Sequence, residues 1–204
     1  PVVNSAKQRS HMATNVSNLR QIGTAASMWS TDHGGAVVPT YDPGDAWPES
    51  SNNWTGLLAP YLGWTGVVTP NTNIFTSAED MPVYVNPEHP ERWGYGHNTH
   101  GLRFVKRDPN SRFYNPNATL GLKLEDPART VFFTTSRKGE DDDSFHTGWR
   151  AYVREPGGLE DFVVDYGGVG EQATVLWLDG HVSTETEDSL GEIELWETEA
   201  TVGN

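Results

Sequence analysis

Residues 17–23, SNLRQIG, and residues 32–35, DHGG, decide the fold because they mark the middle and the end of one long amphipathic helix. Apolar residues recur three or four positions apart through this region, as on the buried face of an α-helix. They are Val16, Leu19, Ile22, Gly23, Ala26 and either Met28 or Trp29. Gly34 and Gly35 then favour the left-handed conformation that ends helices. A helix from about Asn4 to about Asp32 is roughly 40 Å long, so a small head covers only part of it. The alternative is an ordinary helix lying across its own core.

The length and composition of the chain limit the classes of protein to which it can belong. The 204 residues suffice for one domain with a sizeable core. The formal charge of −14 and the pI near 4.7 argue against a nucleic-acid partner, since phosphate binding requires clustered Lys and Arg. The absence of Cys excludes disulfides, thiolate zinc sites and Cys nucleophiles. No apolar run approaches the roughly 20 residues that span a bilayer, so we expect this chain to be soluble.

After the helix, short β-prone runs alternate with turn sequences such as DPGD at residues 42–45 and PGG at residues 156–158. The candidate strands are Val83–Val85, Leu102–Lys106, Thr130–Thr134, Ala151–Arg154, Asp161–Asp165, Thr174–Leu178 and His181–Glu185. The last two are predicted to pair as a hairpin, because Asp179-Gly180 joins them. Residues 54–62, WTGLLAPYL, are predicted to form a short helix or turn capped by Asn52 or Asn53.

These patterns predict an α+β fold in which a long N-terminal helix packs on an antiparallel β-sheet with long irregular loops. We treat the chain as one domain with three parts: a stalk helix at 1–33, a β domain at 34–185 and an acidic tail at 186–204. Ile193, Leu195 and Trp196 in the tail suggest one more edge strand or a partly ordered end.

An ordered set of segments carries a resemblance to a known family. The set comprises the helix with its DHGG exit, WTGLLAPYL, NP at 86–87, YGHN at 95–98, DPARTVFF at 126–133 and VLWLDGHV at 175–182. In this order the chain resembles bacterial type II secretion pseudopilins of the prepilin-type H-X9-DG (DUF1559-like) group. The histidine of the family motif falls at Val169 here, so no role tied to that histidine carries over.

The resemblance implies a precursor with a basic leader, a peptidase cleavage site and an apolar helical half upstream of Pro1. That segment would anchor the precursor in the inner membrane, with the globular domain in the periplasm or at the cell surface. The implied function is a non-catalytic structural subunit of a type II secretion pseudopilus or type IV pilus-like fibre, involved in protein secretion. The implied partners are other pseudopilin subunits and the secretion machinery, with the membrane reached only through the upstream segment.

The predicted assembly face is the apolar stripe of the first helix. Its packing positions are Val16, Leu19, Ile22 and Ala26. We expect the head and neighbouring copies to share them, because a helix longer than its head leaves apolar surface that a neighbour can bury at about 25 cal/mol per Å². Contacts of this head-to-tail kind propagate into filaments rather than closed rings.

Acidic residues near the middle of the chain are candidate calcium ligands. Asp141, Asp142 and Asp143 form a run of carboxylates, and Ca²⁺ takes about six to eight hard oxygen ligands. The major pseudopilins that the chain resembles include calcium binders. The alternative is a solvated acidic loop, since the EF-hand spacing is absent. Weaker ligand candidates are Asp161, Asp165 and Asp179, the last of which fits a turn role.

Histidines suggest a second metal hypothesis. His97 and His100, with His89 nearby, have metal-like spacing, but a zinc site requires a further ligand and a rigid support. The alternative is hydrogen bonding within an aromatic-rich loop, where the imidazoles satisfy buried backbone groups.

No catalytic motif stands out, so we predict that the protein is not an enzyme and has no catalytic residues. The sequence lacks a Gly-x-Ser-x-Gly elbow, a phosphate-binding glycine loop and a His-Glu-x-x-His helix. The alternative function is a cell-surface carbohydrate- or ligand-binding module, because aromatic rings can stack on sugars. The aromatic candidates near turns are Trp47, Trp54, Trp64, Trp93 and Trp149.

Overall fold

The computed structural model describes residues 2–39, 54–66, 81–90, 94–98, 102, 126–137, 152–153, 163–192 and 195–196. The α-helices in these ranges are α1 (Val2–Asp32), α2 (Trp54–Leu58) and α3 (Glu187–Leu190). The strands are β1 (Tyr95–Asn98), β2 (Val131–Arg137), β3 (Tyr152–Val153), β4 (Val163–Val164), β5 (Gln172–Trp177) and β6 (Val182–Thr186). Short 3₁₀ helices occupy Ala59–Leu62, Pro82–Tyr84 and Pro127–Arg129. The fold is α+β, as predicted.

The sheet has the strand order β3-β1-β2-β5-β6, and β4 pairs with the end of β2. The pairs β1–β2, β2–β5 and β5–β6 are antiparallel, whereas β3 runs parallel to β1. The predicted hairpin is confirmed as β5 and β6. Trp177 N donates to His181 O at 2.9 Å, and Gly180 takes a φ of 94° in the turn between the strands. That positive φ explains the glycine, because other residues rarely adopt it.

Helix α1 packs on the sheet through the apolar stripe that the sequence indicates. Leu19 and Ile22 are fully buried in the core between α1 and the sheet. The backbone at Gly23 approaches β5 so closely that an added Cβ would lie 3.1 Å from Leu176 Cδ1. The helix stops where the glycines predict: Gly35 N donates to Ser30 O at 2.8 Å, and Gly34 and Gly35 both have positive φ.

A second apolar cluster lies apart from the α1 cluster and includes the end of the described chain. Its buried members are Val131, Val164, Ala173, Val175, Trp177, Leu190, Leu195 and Trp196. Trp196 Nε1 donates to Leu190 O at 2.8 Å, which fixes the indole within the cluster. Leu195 and Trp196 therefore belong to the core, and they are not in the edge strand suggested by the sequence.

Two local predictions are wrong. Val83–Val85 is not a strand, because Pro82 begins a 3₁₀ helix there and its ring nitrogen cannot donate to a strand ladder. Tyr95–Asn98, predicted as part of an irregular aromatic loop, is strand β1 between β2 and β3. The predicted helix at 54–62 is present as α2 and the following 3₁₀ helix. Its proposed caps, Asn52 and Asn53, lie outside the described residues, as do residues 103–106 of another predicted strand.

Candidate functional site

A buried polar network joins the middle of α1 to the sheet and to the 84–89 loop. Asn15 and Asn18 lie three residues apart on the helix face that is otherwise apolar, and both are buried. Tyr95 Oη donates to Asn15 Oδ1 at 2.7 Å, and Asn18 Nδ2 donates to Tyr95 Oη at 3.1 Å. Asn18 Nδ2 also donates to Val85 O at 3.2 Å. Because buried amides are costly unless they are hydrogen-bonded, these contacts explain how α1 tolerates two asparagines in its packed face.

The network continues from α1 to a buried carboxylate. Asn15 Nδ2 donates to Asn86 Oδ1 at 3.2 Å, and Asn86 Nδ2 donates to Asp165 Oδ2 at the same distance. Asp165 is 4% exposed, and its Oδ1 accepts a 3.0 Å hydrogen bond from Gly167 N. His89 Nε2 lies 3.5 Å from Asp165 Oδ2 and forms an ion pair when the ring is protonated. The carboxylate is therefore held by amide donors and faces one imidazole.

Glu88 is the second carboxylate at this position. A Cβ added to Gly167 would lie 2.9 Å from Glu88 Oε2 and 3.1 Å from Asp165 Oδ1, so both carboxylates flank this glycine. Partial burial and the negative charge of Asp165 raise the pKa of Glu88, and the charges of His11 and His89 partly oppose that rise. A narrow crevice passes between these groups and α1. Its lining residues are Met12, Asn15, Glu88, Thr135, Asp165, Gly168, Gln172 and Thr174.

This arrangement docks the helix on the head. The hydroxyl of Thr135, which lines the crevice together with the two carboxylates, donates to Asp165 O at 2.9 Å. Within the described ranges, no group of three or more His, Cys, Asp or Glu side chains is placed to hold a metal ion. The contacts of the network position α1 on the head.

The predicted assembly face lies inside the protein. Leu19 and Ile22 are 0% exposed and Ala26 is 3% exposed, while Val16 is half-buried. The first three side chains pack on the protein's own sheet, so they leave almost no surface for a neighbouring copy. The expectation that the head covers the stripe only in part is thus corrected for these three positions.

The exposed part of α1 is elsewhere. Every residue from 4 to 10 is exposed, and this segment contains Lys7 and Arg9. Beyond residue 12 the solvent-facing side of the helix is mainly Ser, Thr, Gln and Arg. Met28, at 50%, is the exposed large hydrophobic residue of the described chain. The surface that α1 offers to another molecule is therefore polar and basic.

His97 is a hydrogen-bonded core residue. The ring is fully buried in β1, with Nε2 3.1 Å from Val38 O and Nδ1 3.1 Å from Asn98 O. It also makes edge contacts with Phe132 and Phe133. Burial lowers the pKa of His97 to about 4, and the two carbonyl contacts oppose that shift. The hydrogen-bonding alternative is thus confirmed for His97, while His100 lies outside the described residues.

The calcium candidates Asp141, Asp142 and Asp143 lie outside the described residues, as does Asp161. Asp165 is engaged by the amides described above. Asp179 serves its turn, as expected, because its Oδ1 accepts a 3.0 Å hydrogen bond from His181 N.

Of the tryptophans proposed to form a carbohydrate-binding surface, the two that the structure describes are buried or half-buried. Trp54 is fully buried against Tyr84 and Phe133, and Trp64 is half-buried. Trp47, Trp93 and Trp149 lie outside the described residues. Neither of the two described candidates is an exposed ring, so the binding-module alternative gains no support from them.

Sequence reasoning missed the network itself. One signal was available, because Asn15 and Asn18 interrupt an apolar helix face at a spacing of three residues, which indicates a shared buried partner. Asn86 and Asp165 carry no such signal, since their meeting depends on the tertiary fold.

Comparison of the chain with protein-family models, with curated proteins and with solved structures gives no match. Among the described helices, none is both long enough and apolar enough to cross a membrane. The fold class is therefore established from the structure alone.

Proposed function

We propose that this protein is a non-catalytic structural subunit of a type II secretion pseudopilus or a type IV pilus-like fibre. The observation that carries the proposal is the form of α1. This helix of 31 residues is about 46 Å long, and its second half is docked on an antiparallel sheet. Its first turns are exposed on all sides. The ordered pseudopilin-like segments of the sequence support the same reading.

A pilin-like arrangement requires a helix that is both part of the head and available to neighbours. The docked half meets the first requirement through Leu19, Ile22 and the asparagine network. The exposed turns and the solvent-facing side of the docked half meet the second. In this version of the proposal, neighbouring copies contact α1 on the side opposite the buried stripe, where Met28 is the large apolar side chain.

The proposal places the helical half implied upstream of Pro1 in the inner membrane, and the head in the periplasm or at the cell surface. Partners are other pseudopilin subunits and the secretion machinery. Calcium binding by Asp141, Asp142 and Asp143 remains a prediction of the sequence.

The test is expression of the gene with its own upstream coding sequence in a host that assembles pilus-like fibres. Surface fibres are sheared from the cells, examined by electron microscopy and probed with an antibody against the head. We expect the protein in the filaments, with an N-terminus produced by peptidase cleavage. A precursor without an apolar upstream helix, or wild-type protein absent from every filament, would refute the proposal.

A matched pair of variants tests the contact surface. Met28→Glu adds one negative charge to the exposed side of α1, and Ala128→Glu adds the same charge to the exposed 3₁₀ helix before β2. We expect Met28→Glu to reduce the amount of fibre and Ala128→Glu to leave it unchanged. Both heads should keep their free energy of unfolding within about 0.5 kcal/mol of wild type, because both sites are exposed. Leu19→Asp is unsuitable here, since it places a charge in the core and unfolds the head.

A further inference from the structure

The exposed start of α1 has the opposite charge to the rest of the protein. Helix α1 contains three basic residues, Lys7, Arg9 and Arg20, and one acidic residue, Asp32. It therefore carries a formal charge of +2 within a chain of −14, which leaves −16 for the remainder. Two of the three basic residues lie in the exposed segment at residues 4–10, which we call the basic arm.

The charges of the basic arm have no partner within the described part of the molecule. Neither Lys7 nor Arg9 forms an ion pair with a described residue, although Arg129 does so with Glu192 at 2.7 Å. Met12 is the residue at which α1 meets the head, since its Cε lies 3.3 Å from the position of a Cβ on Gly168. The basic arm ends two residues before this contact, and every residue in it is exposed.

We propose that the basic arm docks on the acidic head of a second copy of this chain. We choose a second copy as the partner because the positive charge of the basic arm complements the −16 carried by the remainder of the chain. Heads of that charge otherwise repel one another at close range. An inserted basic arm reduces this repulsion within a Debye length of about 8 Å at physiological salt. The inference rests on the proposed function and deepens it, since it identifies an electrostatic contact between successive subunits.

The two surfaces in this contact differ, so the contact is heterologous. Each copy offers one basic arm and one acidic head, and a contact of this type extends into a chain of subunits. Salt should weaken it, which distinguishes it from an apolar helix-to-helix contact.

The first experiment measures self-association of the 204-residue chain by sedimentation velocity over a wide concentration range. We expect association at low salt, about 20 mM, that is lost at about 500 mM. The double variant Lys7→Gln with Arg9→Gln should weaken the association by about tenfold at low salt. Its matched control is the double variant Thr65→Glu with Ala128→Glu, at two exposed positions of the head outside α1, because both double variants change the formal charge from −14 to −16. The control should associate like wild type; equal weakening in both variants would overturn the proposal.

A mixing experiment separates arm-to-head contact from arm-to-arm contact. A fluorescently labelled Lys7→Gln, Arg9→Gln chain keeps an intact acidic head, so unlabelled wild-type protein should capture it at low salt. Failure of capture overturns the proposal, as does self-association that does not respond to salt. If the wild-type chain stays monomeric but its basic arm binds vesicles of anionic lipid in a salt-dependent way, the occupant is a membrane surface and the proposal is wrong.

The two proposals fail separately. If fibres assemble equally well from the Lys7→Gln, Arg9→Gln variant, the proposed electrostatic contact is refuted and the proposed fibre function is not affected. If the protein self-associates in a salt-dependent way but never enters fibres, the proposed fibre function is refuted and the electrostatic contact is not.

Discussion

The burial of His97 makes the stability of this protein depend on pH, and the dependence can be calculated. The ring has a pKa of about 4 in the folded protein, against 6.5 for an ordinary histidine. Because the folded-state pKa is the lower one, the unfolded chain binds the proton more tightly. The contribution of the neutral, buried His97 ring to the free energy of unfolding is complete above pH 6.5 and is lost as the pH falls toward 4. Between pH 7 and pH 4.5 the loss amounts to about 2 kcal/mol of unfolding free energy.

The perturbation that tests this value is His97→Gln, which cannot titrate and can still donate to Val38 O. Urea unfolding, followed by tryptophan fluorescence, gives the free energy of unfolding at several pH values between 7 and 4.5 for both proteins. The variant is less stable at pH 7, but the wild-type value should fall by about 2 kcal/mol more than that of the variant across this range. Other titrating groups cancel in the comparison, since both proteins contain them.

The control is Ile22→Val, a change at a fully buried core position that also destabilises the fold and removes no titrating group. This variant should keep the wild-type pH dependence. Parallel pH profiles for wild type and His97→Gln would show that the buried ring does not couple folding to protonation, and the reasoning would be refuted.

Two further predictions concern packing. Gly94→Ala should destabilise the fold by about 3 kcal/mol or more, because the new Cβ would lie 2.0 Å from Asn86 Cβ. The control is Gly191→Ala, whose new Cβ has no neighbour nearer than 3.5 Å. Its free energy of unfolding should stay within about 0.5 kcal/mol of wild type. Equal effects in thermal unfolding would contradict the close approach at Gly94. Trp196→Ala should cost about 3 to 5 kcal/mol, since the indole is fully buried, and a loss below about 1 kcal/mol would mean that this segment is not part of the core.

Local signals predicted the elements that local chemistry determines. The periodic apolar face of α1, its glycine stop and the Asp179-Gly180 hairpin can be recognised without knowledge of the fold, because each depends on residues close together in sequence. Strand β1 could not be recognised in this way. Its sequence, YGHN, has weak strand propensity, and it becomes a strand because β2 and β3 pair with it on both sides.

The same distinction applies to the candidate site. The stripe of α1 was recognised, but the sequence does not reveal how much of it the head covers, and Leu19 and Ile22 are completely covered. The partners of Asn15 come from the 84–89 loop and from β1, which are separated from it by 71 and 80 residues. Such contacts follow from the assembled sheet and cannot be derived from spacing along the chain.

The asparagine network also determines how the protein responds to a pulling force. If α1 slipped along the sheet by one turn, about 5.4 Å, the hydrogen bonds from Asn15 to Asn86 and from Asn18 to Tyr95 would break. Each buried amide left without a hydrogen-bond partner would cost about 1 to 3 kcal/mol, a penalty that a purely aliphatic contact would not impose. We expect the network to resist such slippage, so that tension applied to α1 is transmitted to β1 through Tyr95.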